Sequence, residues 1–295
     1  IPFTIDDTRG LIDGPHPQIA VAPDRFTTAM PRFASVSPDG REVVFETLGK
    51  LWVKPVAGGT PRRLTRGDDG FELFPSWSHD GKSLVYVSWT DDGLGRLRVI
   101  GANGGSARDV IGQPGHYARP RFSPDGKTIV FERTGAGGLT SPRWAQDAGV
   151  YRVATAGGAA SLVSRDAASP QFGAGNDRIF MLQDERKDGK SVRQLVSTDL
   201  SGQDKRVHAT GELATDYVVS PTGEYVAFRQ NYAAYVVPLM PGSQTIALSP
   251  DAKALPITRV SAGGADYMNW SNDGTRLHWS LGPTLYTVET ANMFA

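Results

Sequence analysis

Cysteine is absent from the 295-residue chain, which excludes disulfides, thiol nucleophiles and thiolate metal sites. Net charge is also missing, since 31 lysines and arginines balance 31 aspartates and glutamates. Electrostatics therefore predict neither a nucleic acid nor an anionic membrane as partner. No apolar run approaches the roughly 18 residues of a membrane-spanning helix, so we expect no membrane insertion. A cysteine-free chain that begins at Ile1 rather than Met suits a periplasmic or secreted bacterial protein, either a mature form or a piece of something longer.

Helical periodicity is almost absent, whereas glycine (34) and proline (20) are plentiful, which is typical of short strands joined by turns. A hairpin pattern with a fixed turn residue recurs six times. The copies span 33–45, 74–86, 119–131, 169–181, 216–228 and 267–279, with turn residues Gly40, Gly81, Gly126, Asn176, Gly223 and Gly274. The turn residues are 41 to 51 residues apart. Glycine or asparagine at this position predicts a positive φ angle in every copy.

A third strand follows each hairpin, and a fourth follows in the first five copies. Four-stranded sheets repeated at this period predict an all-β, six-bladed propeller of antiparallel blades. The predicted blades are 32–67, 74–113, 118–166, 168–211, 214–262 and 266–295, after a connector at 8–31.

The first residues, IPFTIDD at 1–7, have the length and texture of a missing fourth strand. A propeller must close its ring to avoid an exposed edge. We therefore predict that residues 1–7 complete the sixth blade beside 284–290. The alternative is a disordered terminal tail.

The turn motif SPDG followed by lysine or arginine resembles the TolB-type propeller repeat, with full matches at 37–41 and 123–127. Copies two, five and six each change one residue of SPDG itself, and copy four, GAGN at 173–176, keeps only the turn. This resemblance covers nearly the whole chain, but it is a signature of fold.

Three longer segments, 58–95, 114–131 and 277–287, resemble large secreted bacterial proteins of the amidohydrolase family. In those proteins TolB-like repeats precede a metal-dependent barrel. The resemblance implies that this chain is the propeller next to such a barrel. It also implies that a divalent metal belongs only to the downstream domain, and that this chain itself holds no cofactor.

Catalytic motifs are scarce in this sequence. No two of the five histidines have metal-ligand spacing, and no G-x-S-x-G elbow occurs. Among the histidines, His116, just before an inner strand, is a candidate binding residue. The Asp-rich segments 65–70 and 90–93 are better explained as turns than as calcium loops.

Three places are candidate binding sites. The first is the ring of residues that enter the inner strands, at one mouth of the central channel. The ring consists of Phe33, Phe74, Arg119, Ser169, Asp216 and Tyr267, with Asp266 and Arg121 nearby. The candidate binding residues among them are Phe74, Arg119, Arg121, Asp216, Asp266 and Tyr267. The alternative for this ring is a water-filled channel with salt bridges. The second place is the insertion 133–148, where Arg143 and Trp144 are of the types that anchor interfaces. The third is the connector, which could cover a channel mouth.

These observations leave three functional hypotheses. The leading one is a non-catalytic scaffold or interaction module of a larger hydrolase, whose protein partner is the adjacent hydrolase domain. The second is a stand-alone TolB-like propeller that binds an envelope protein. The third is a propeller enzyme with carboxylates at the channel mouth, in which Asp216 and Asp266 would be the residues to test.

Overall fold

The computed structural model describes residues 1–17, 24–67, 70–135, 147–187, 189–240, 242, 245–248 and 255–294. Over these ranges the chain forms 24 strands in six sheets and one 3-10 helix, Thr290–Asn292. The first strand of each sheet contacts the first strand of the next, and that of the sixth sheet contacts that of the first. The predicted six-bladed propeller is thereby confirmed.

The first three blades are regular four-stranded antiparallel sheets. Blade 1 consists of β1 (Arg32–Val36), β2 (Glu42–Thr47), β3 (Lys50–Pro55) and β4 (Arg62–Arg63). Blade 2 consists of β5 (Phe71–Trp77), β6 (Ser83–Thr90), β7 (Leu94–Gly101) and β8 (Arg108–Asp109). Blade 3 consists of β9 (Tyr117–Phe122), β10 (Thr128–Arg133), β11 (Gly149–Ala154) and β12 (Ser161–Ser164).

The last three blades vary in strand number. Blade 4 has β13 (Ala167–Phe172), β14 (Arg178–Lys187), β15 (Lys190–Asp199), β16 (Arg206–Gly211) and, parallel to β16, β20 (Ile246–Ala247). Blade 5 has β17 (Ala214–Val219), β18 (Tyr225–Gln230), β19 (Ala233–Pro238) and β21 (Thr258–Arg259). Blade 6 has β22 (Asp266–Trp270), β23 (Arg276–Leu281) and β24 (Thr284–Glu289). The detour after β19 thus lends a short strand to the preceding blade.

The hydrophobic core lies between blades. Alternating apolar residues form one buried cluster at each of the six blade interfaces. Burying one such side chain stabilises the fold by roughly 1.5–3 kcal/mol. The cluster between blades 6 and 1 is the smallest, with Ala34, Val36 and Val43 as its buried members.

The turn chemistry follows the repeat motif. In blade 3, Ser123 Oγ donates to Asp125 Oδ1 at 2.7 Å and accepts the Thr128 N–H at 3.0 Å. The five turn glycines have φ angles of 68° to 73°. Asn176 is an exception to the prediction, because its φ is not positive. Instead its side-chain oxygen accepts the Asp125 N–H at 2.9 Å and joins the turns of two blades.

Ring closure departs from the prediction. Residues 1–7 form no strand and are exposed, and β24 pairs only with β23 among the described strands. The side chains of β24 are mostly exposed, so a further strand there would bury little apolar surface. The ring closes at its inner strands instead. Asn269 Oδ1 accepts the Val36 N–H at 3.0 Å, and Asn269 Nδ2 donates to the Ala34 carbonyl at 3.2 Å.

In the described ranges, no helix has the length and apolar character that crossing a bilayer requires.

Candidate functional site

A repeated backbone bulge shapes one mouth of the central channel. In five blades the inner strand contains a non-glycine residue with φ between 48° and 55°, each within a register shift against the second strand. These residues are Phe33, Phe74, Arg119, Ser169 and Tyr267. Blade 5 has a register shift at the same level, before Asp216, without a positive φ. The left-handed conformation costs a non-glycine residue roughly 1–2 kcal/mol. The strained conformation occurs five times at one level of the channel, and all five side chains line one cavity.

Three aromatic rings cover the half of the mouth that belongs to blades 6, 1 and 2. The Phe33 and Phe74 ring centroids are 4.4 Å apart with a tilt of 47°. The Phe33 and Tyr267 centroids are 5.2 Å apart in an edge-on arrangement. Burial, reinforced by the neighbouring Asp266 carboxylate, raises the pKa of the Tyr267 hydroxyl. The rings form a concave apolar wall, which we call the aromatic wall.

Charged side chains of blades 3 and 5, together with Asp266 of blade 6, lie around the rest of the mouth. Arg229, from β18, lies between two carboxylates: it pairs with Asp216 at 2.7 Å and with Asp266. Arg119 pairs with Glu132 at 2.9 Å, and its guanidinium lies 6.0 Å from the Phe74 ring centroid. The same Glu132 carboxylate accepts the Ser169 N–H at 3.1 Å. The charged part of the mouth therefore contains two separate groups of ion pairs, and in one of them both aspartates share a single guanidinium.

Arg121 lies two residues farther along the channel than Arg119. Burial, reinforced by the Arg119 charge, lowers its pKa to about 10. The structure gives this guanidinium a 3.1 Å hydrogen bond to the Pro120 carbonyl. The side chain lines the mouth cavity, of about 360 Å³, and also a second cavity of about 140 Å³ toward the turn end of the channel. The mouth cavity, at about 360 Å³, falls within the range of small-ligand sites.

The structure brings six of the sequence-predicted site residues together at the mouth. They are Phe74, Arg119, Arg121, Asp216, Asp266 and Tyr267. His116 lies elsewhere, in a tilted contact with Trp89 whose ring centroids are 4.6 Å apart. Arg143 and Trp144 lie outside the described residues. Within the described ranges, no three His, Asp or Glu side chains converge where they could hold a metal ion.

Sequence reasoning missed Arg229, although it lies directly opposite Asp216 in the β17–β18 register. It also missed the long β14–β15 hairpin, whose ten-residue strands extend beyond the strands of the other blades at the mouth end. There Arg193 makes a bidentate pair with Asp184 at 2.8 and 3.0 Å, which lowers the pKa of that carboxyl. The sequence signal for this hairpin was the long segment that separates the two successive turns of copy four.

A larger omission is a ring of exposed apolar side chains on the loops and strand ends around the mouth, which we call the apolar rim. Its members are Leu48, Phe71, Leu94, Leu213, Tyr232 and Leu281. At the opposite end of the blades, the exposed large apolar side chains of the described residues are Val56 and Met240. The two faces of the propeller therefore differ strongly in apolar exposure.

Several rim residues are held in a costly conformation. Leu48 has φ 54° and Leu94 has φ 55°. Tyr232, with φ 68° and 81% exposure, follows Asn231 at φ 48° in the β18–β19 turn. Glycine, asparagine or aspartate normally fills such turns. Backbone strain of this kind is found more often at functional surfaces than elsewhere.

No protein-family model matches the chain. It is 27% identical over 128 residues to an uncharacterized peptidase, YuxL, of Bacillus subtilis, covering 43% of this chain and 18% of that protein. It is 32% identical over 83 residues to the Tol-Pal system protein TolB of Francisella tularensis, covering 28% and 19%. The chain thus spans about a fifth of the length of the curated relatives it matches.

Among solved structures, a putative TolB from Agrobacterium tumefaciens superposes with a TM-score of 0.63. That likeness covers 83% of this chain and 87% of the other, at 17% identity. An identity this low indicates shared fold, and propellers of one shape serve many functions. The chain is a TolB-like six-bladed β-propeller.

Proposed function

We propose that this chain is a non-catalytic interaction module of a larger hydrolase, and that its mouth face docks on the adjacent hydrolase domain. The observation that carries the proposal is the apolar rim. Monomeric surfaces rarely gather large apolar side chains on one face, and such faces are typical of docking surfaces. The aromatic wall and the arginines inside the rim are of the residue types that are enriched at protein interfaces.

The choice of partner follows from the relatives. One curated relative bears the name of a peptidase, and the matched segment is only 18% of its length. The sequence likeness to amidohydrolase-family proteins points to a hydrolase domain beside the propeller. In this proposal any catalytic metal belongs to that domain, this chain supplies no cofactor, and the protein is periplasmic or secreted.

Two alternatives remain testable. A stand-alone envelope protein would use the same rim to bind a separate polypeptide. A propeller enzyme would need a free carboxylate at the mouth, whereas Asp216 and Asp266 are both ion-paired with Arg229. If Asp216→Asn and Asp266→Asn leave any hydrolytic or lyase activity of the purified chain unchanged, the enzyme alternative fails.

Photocrosslinking in the full-length gene product tests the docking proposal. A benzophenone amino acid replaces Tyr232 on the apolar rim or, as matched control, Met240 on the opposite face. We expect crosslinks from position 232, and none from position 240, to peptides of a hydrolase domain in the same polypeptide. Crosslinks from position 232 to a separate envelope protein would favour the alternative. Equal yields from both faces, or no crosslink from 232, would overturn docking at the mouth.

A further inference from the structure

Three arginines line the mouth cavity, and they differ in their partners. Arg119 pairs with Glu132, and Arg229 pairs with both Asp216 and Asp266. Arg121 makes no ion pair with any described residue, and its hydrogen bond goes to the neighbouring Pro120 carbonyl. One guanidinium in the channel is therefore left for a ligand.

The equivalent position in other blades explains why Arg121 is available. Asn269 in blade 6 clamps the inner strand of blade 1, as described above. Gln171 in blade 4 does the same to blade 5: its Nε2 donates to the Tyr217 carbonyl at 2.8 Å, and its Oε1 accepts the Val219 N–H at 2.9 Å. A guanidinium has donors but no acceptor. Arg121 therefore cannot form this amide clamp on blade 4, and its donors face the channel.

The surroundings favour an anion at Arg121. The lowered pKa still leaves the guanidinium charged at neutral pH. A charge in a partly desolvated site without a counter-ion is costly. The mouth cavity is lined by three arginines but only two aspartates, and Arg229 engages both of them. A carboxylate can accept two parallel hydrogen bonds from a guanidinium, which is a strong and directional pairing.

The aromatic wall narrows the chemical class of the ligand. Arg119 lies at the bulge level of the channel, as the three ring-bearing residues do, and Arg121 lies two residues farther from the mouth on β9. A ligand bound to Arg121 would thus carry its next group at the level of the rings. Those rings are tilted by 47° and 63° to one another, forming a concave wall rather than the flat platform that suits a sugar. The pairing of a carboxylate with an apolar side chain is what a polypeptide presents at its C-terminus.

We infer that Arg121 binds the terminal carboxylate of a polypeptide whose last side chain packs against Phe33, Phe74 and Tyr267. This inference rests on the proposed docking of a protein at the mouth face and names the chemical group that enters the channel.

Calorimetric titration of the purified chain tests the site with small probes. N-acetylphenylalanine carries the carboxylate and the ring, whereas N-acetylphenylalaninamide keeps the ring and has a neutral amide of similar size in place of the carboxylate. We expect the acid to bind and the amide to bind at least about tenfold more weakly, as the loss of a charge-assisted hydrogen bond implies. Arg121→Met should weaken acid binding by a similar factor. Arg121→Lys keeps the positive charge but lacks the two parallel donors of the guanidinium, so its affinity for the acid should lie between those of the intact chain and Arg121→Met.

Two controls keep the result specific. Arg41→Met removes an exposed arginine at the turn end of blade 1 and should leave acid binding unchanged. Thermal unfolding of each variant shows whether it is folded. No binding of the acid, equal binding of acid and amide, or full binding by folded Arg121→Met would overturn the inference. If galacturonate bound more tightly than N-acetylphenylalanine, the ligand would be a sugar acid and the inferred polypeptide C-terminus would be overturned.

The outcomes also separate this inference from the docking proposal. Probe binding that depends on Arg121, without crosslinks from position 232, would keep the carboxylate site and overturn docking. Crosslinks from position 232, without probe binding, would keep docking and overturn the carboxylate site.

Discussion

His278 should make this propeller sensitive to mild acid. The side chain lies on β23 with 4% exposure, and its Nδ1 shares a 2.8 Å hydrogen bond with Thr287 Oγ1. Its Nε2 is buried with no hydrogen-bond partner in the structure. Burial, reinforced by the Arg276 charge, lowers the pKa of His278 from 6.5 to about 4. Protonation would therefore place an uncompensated charge inside blade 6.

The sign of the effect follows from proton linkage. Because the folded pKa is lower than the unfolded pKa, the unfolded chain binds more protons between pH 6.5 and 4. The free energy of unfolding therefore falls as the pH falls through this window. At about 1.4 kcal/mol per pKa unit, the loss attributable to His278 is roughly 2 kcal/mol between pH 7.5 and pH 5. Below pH 4 it reaches about 3.4 kcal/mol.

The test compares the intact chain with His278→Asn, which has no titrating ring. Urea unfolding at a series of pH values gives the free energy of unfolding for each chain. His79 and His208, whose pKa values burial also lowers, are common to both chains, so the difference between the two profiles isolates His278. We expect the intact chain to lose about 2 kcal/mol more than the variant on acidification to pH 5. Parallel profiles would refute the reasoning.

Three further predictions concern backbone conformation, turns and ring closure. Phe74 has a φ of 55°, so the Phe74→Gly variant should have a free energy of unfolding about 1 kcal/mol higher than Phe74→Ala in chemical denaturation, the reverse of the usual order in strands. A Phe74→Ala variant as stable as Phe74→Gly, or more stable, would show that the bulge carries no strain. Ser123→Ala should lower the free energy of unfolding by about 1–3 kcal/mol, because it leaves the Thr128 N–H unpaired. The control Ser191→Ala, at an exposed position, should lower it by less than about 0.5 kcal/mol. Equal losses in the two variants would contradict the turn argument. Deleting residues 1–7, which are exposed and pair with no described strand, should shift the thermal midpoint by little. A drop of several degrees would indicate that they close the ring after all.

Most of the fold could be predicted because the features that specify it are local. The turn glycines Gly40 and Gly126 need a positive φ, and period-two alternation places apolar residues on buried faces. Asn176 fills the turn position without adopting that conformation, because the turn in blade 4 has lost its motif. Even the mouth residues could be predicted in part, because the repeat aligns the start of every inner strand.

Other features depend on which segments meet in space. The sequence by itself determined six blades, their turns and the candidates at the channel mouth, since each copy repeats the same short-range pattern. Only the tertiary structure decided that Asn269 rather than residues 1–7 joins the last blade to the first. It also decided that Arg229 engages both mouth aspartates while Arg121 engages neither. The physical reason is that partners of side chains on different blades are set by ring geometry, which no single repeat encodes.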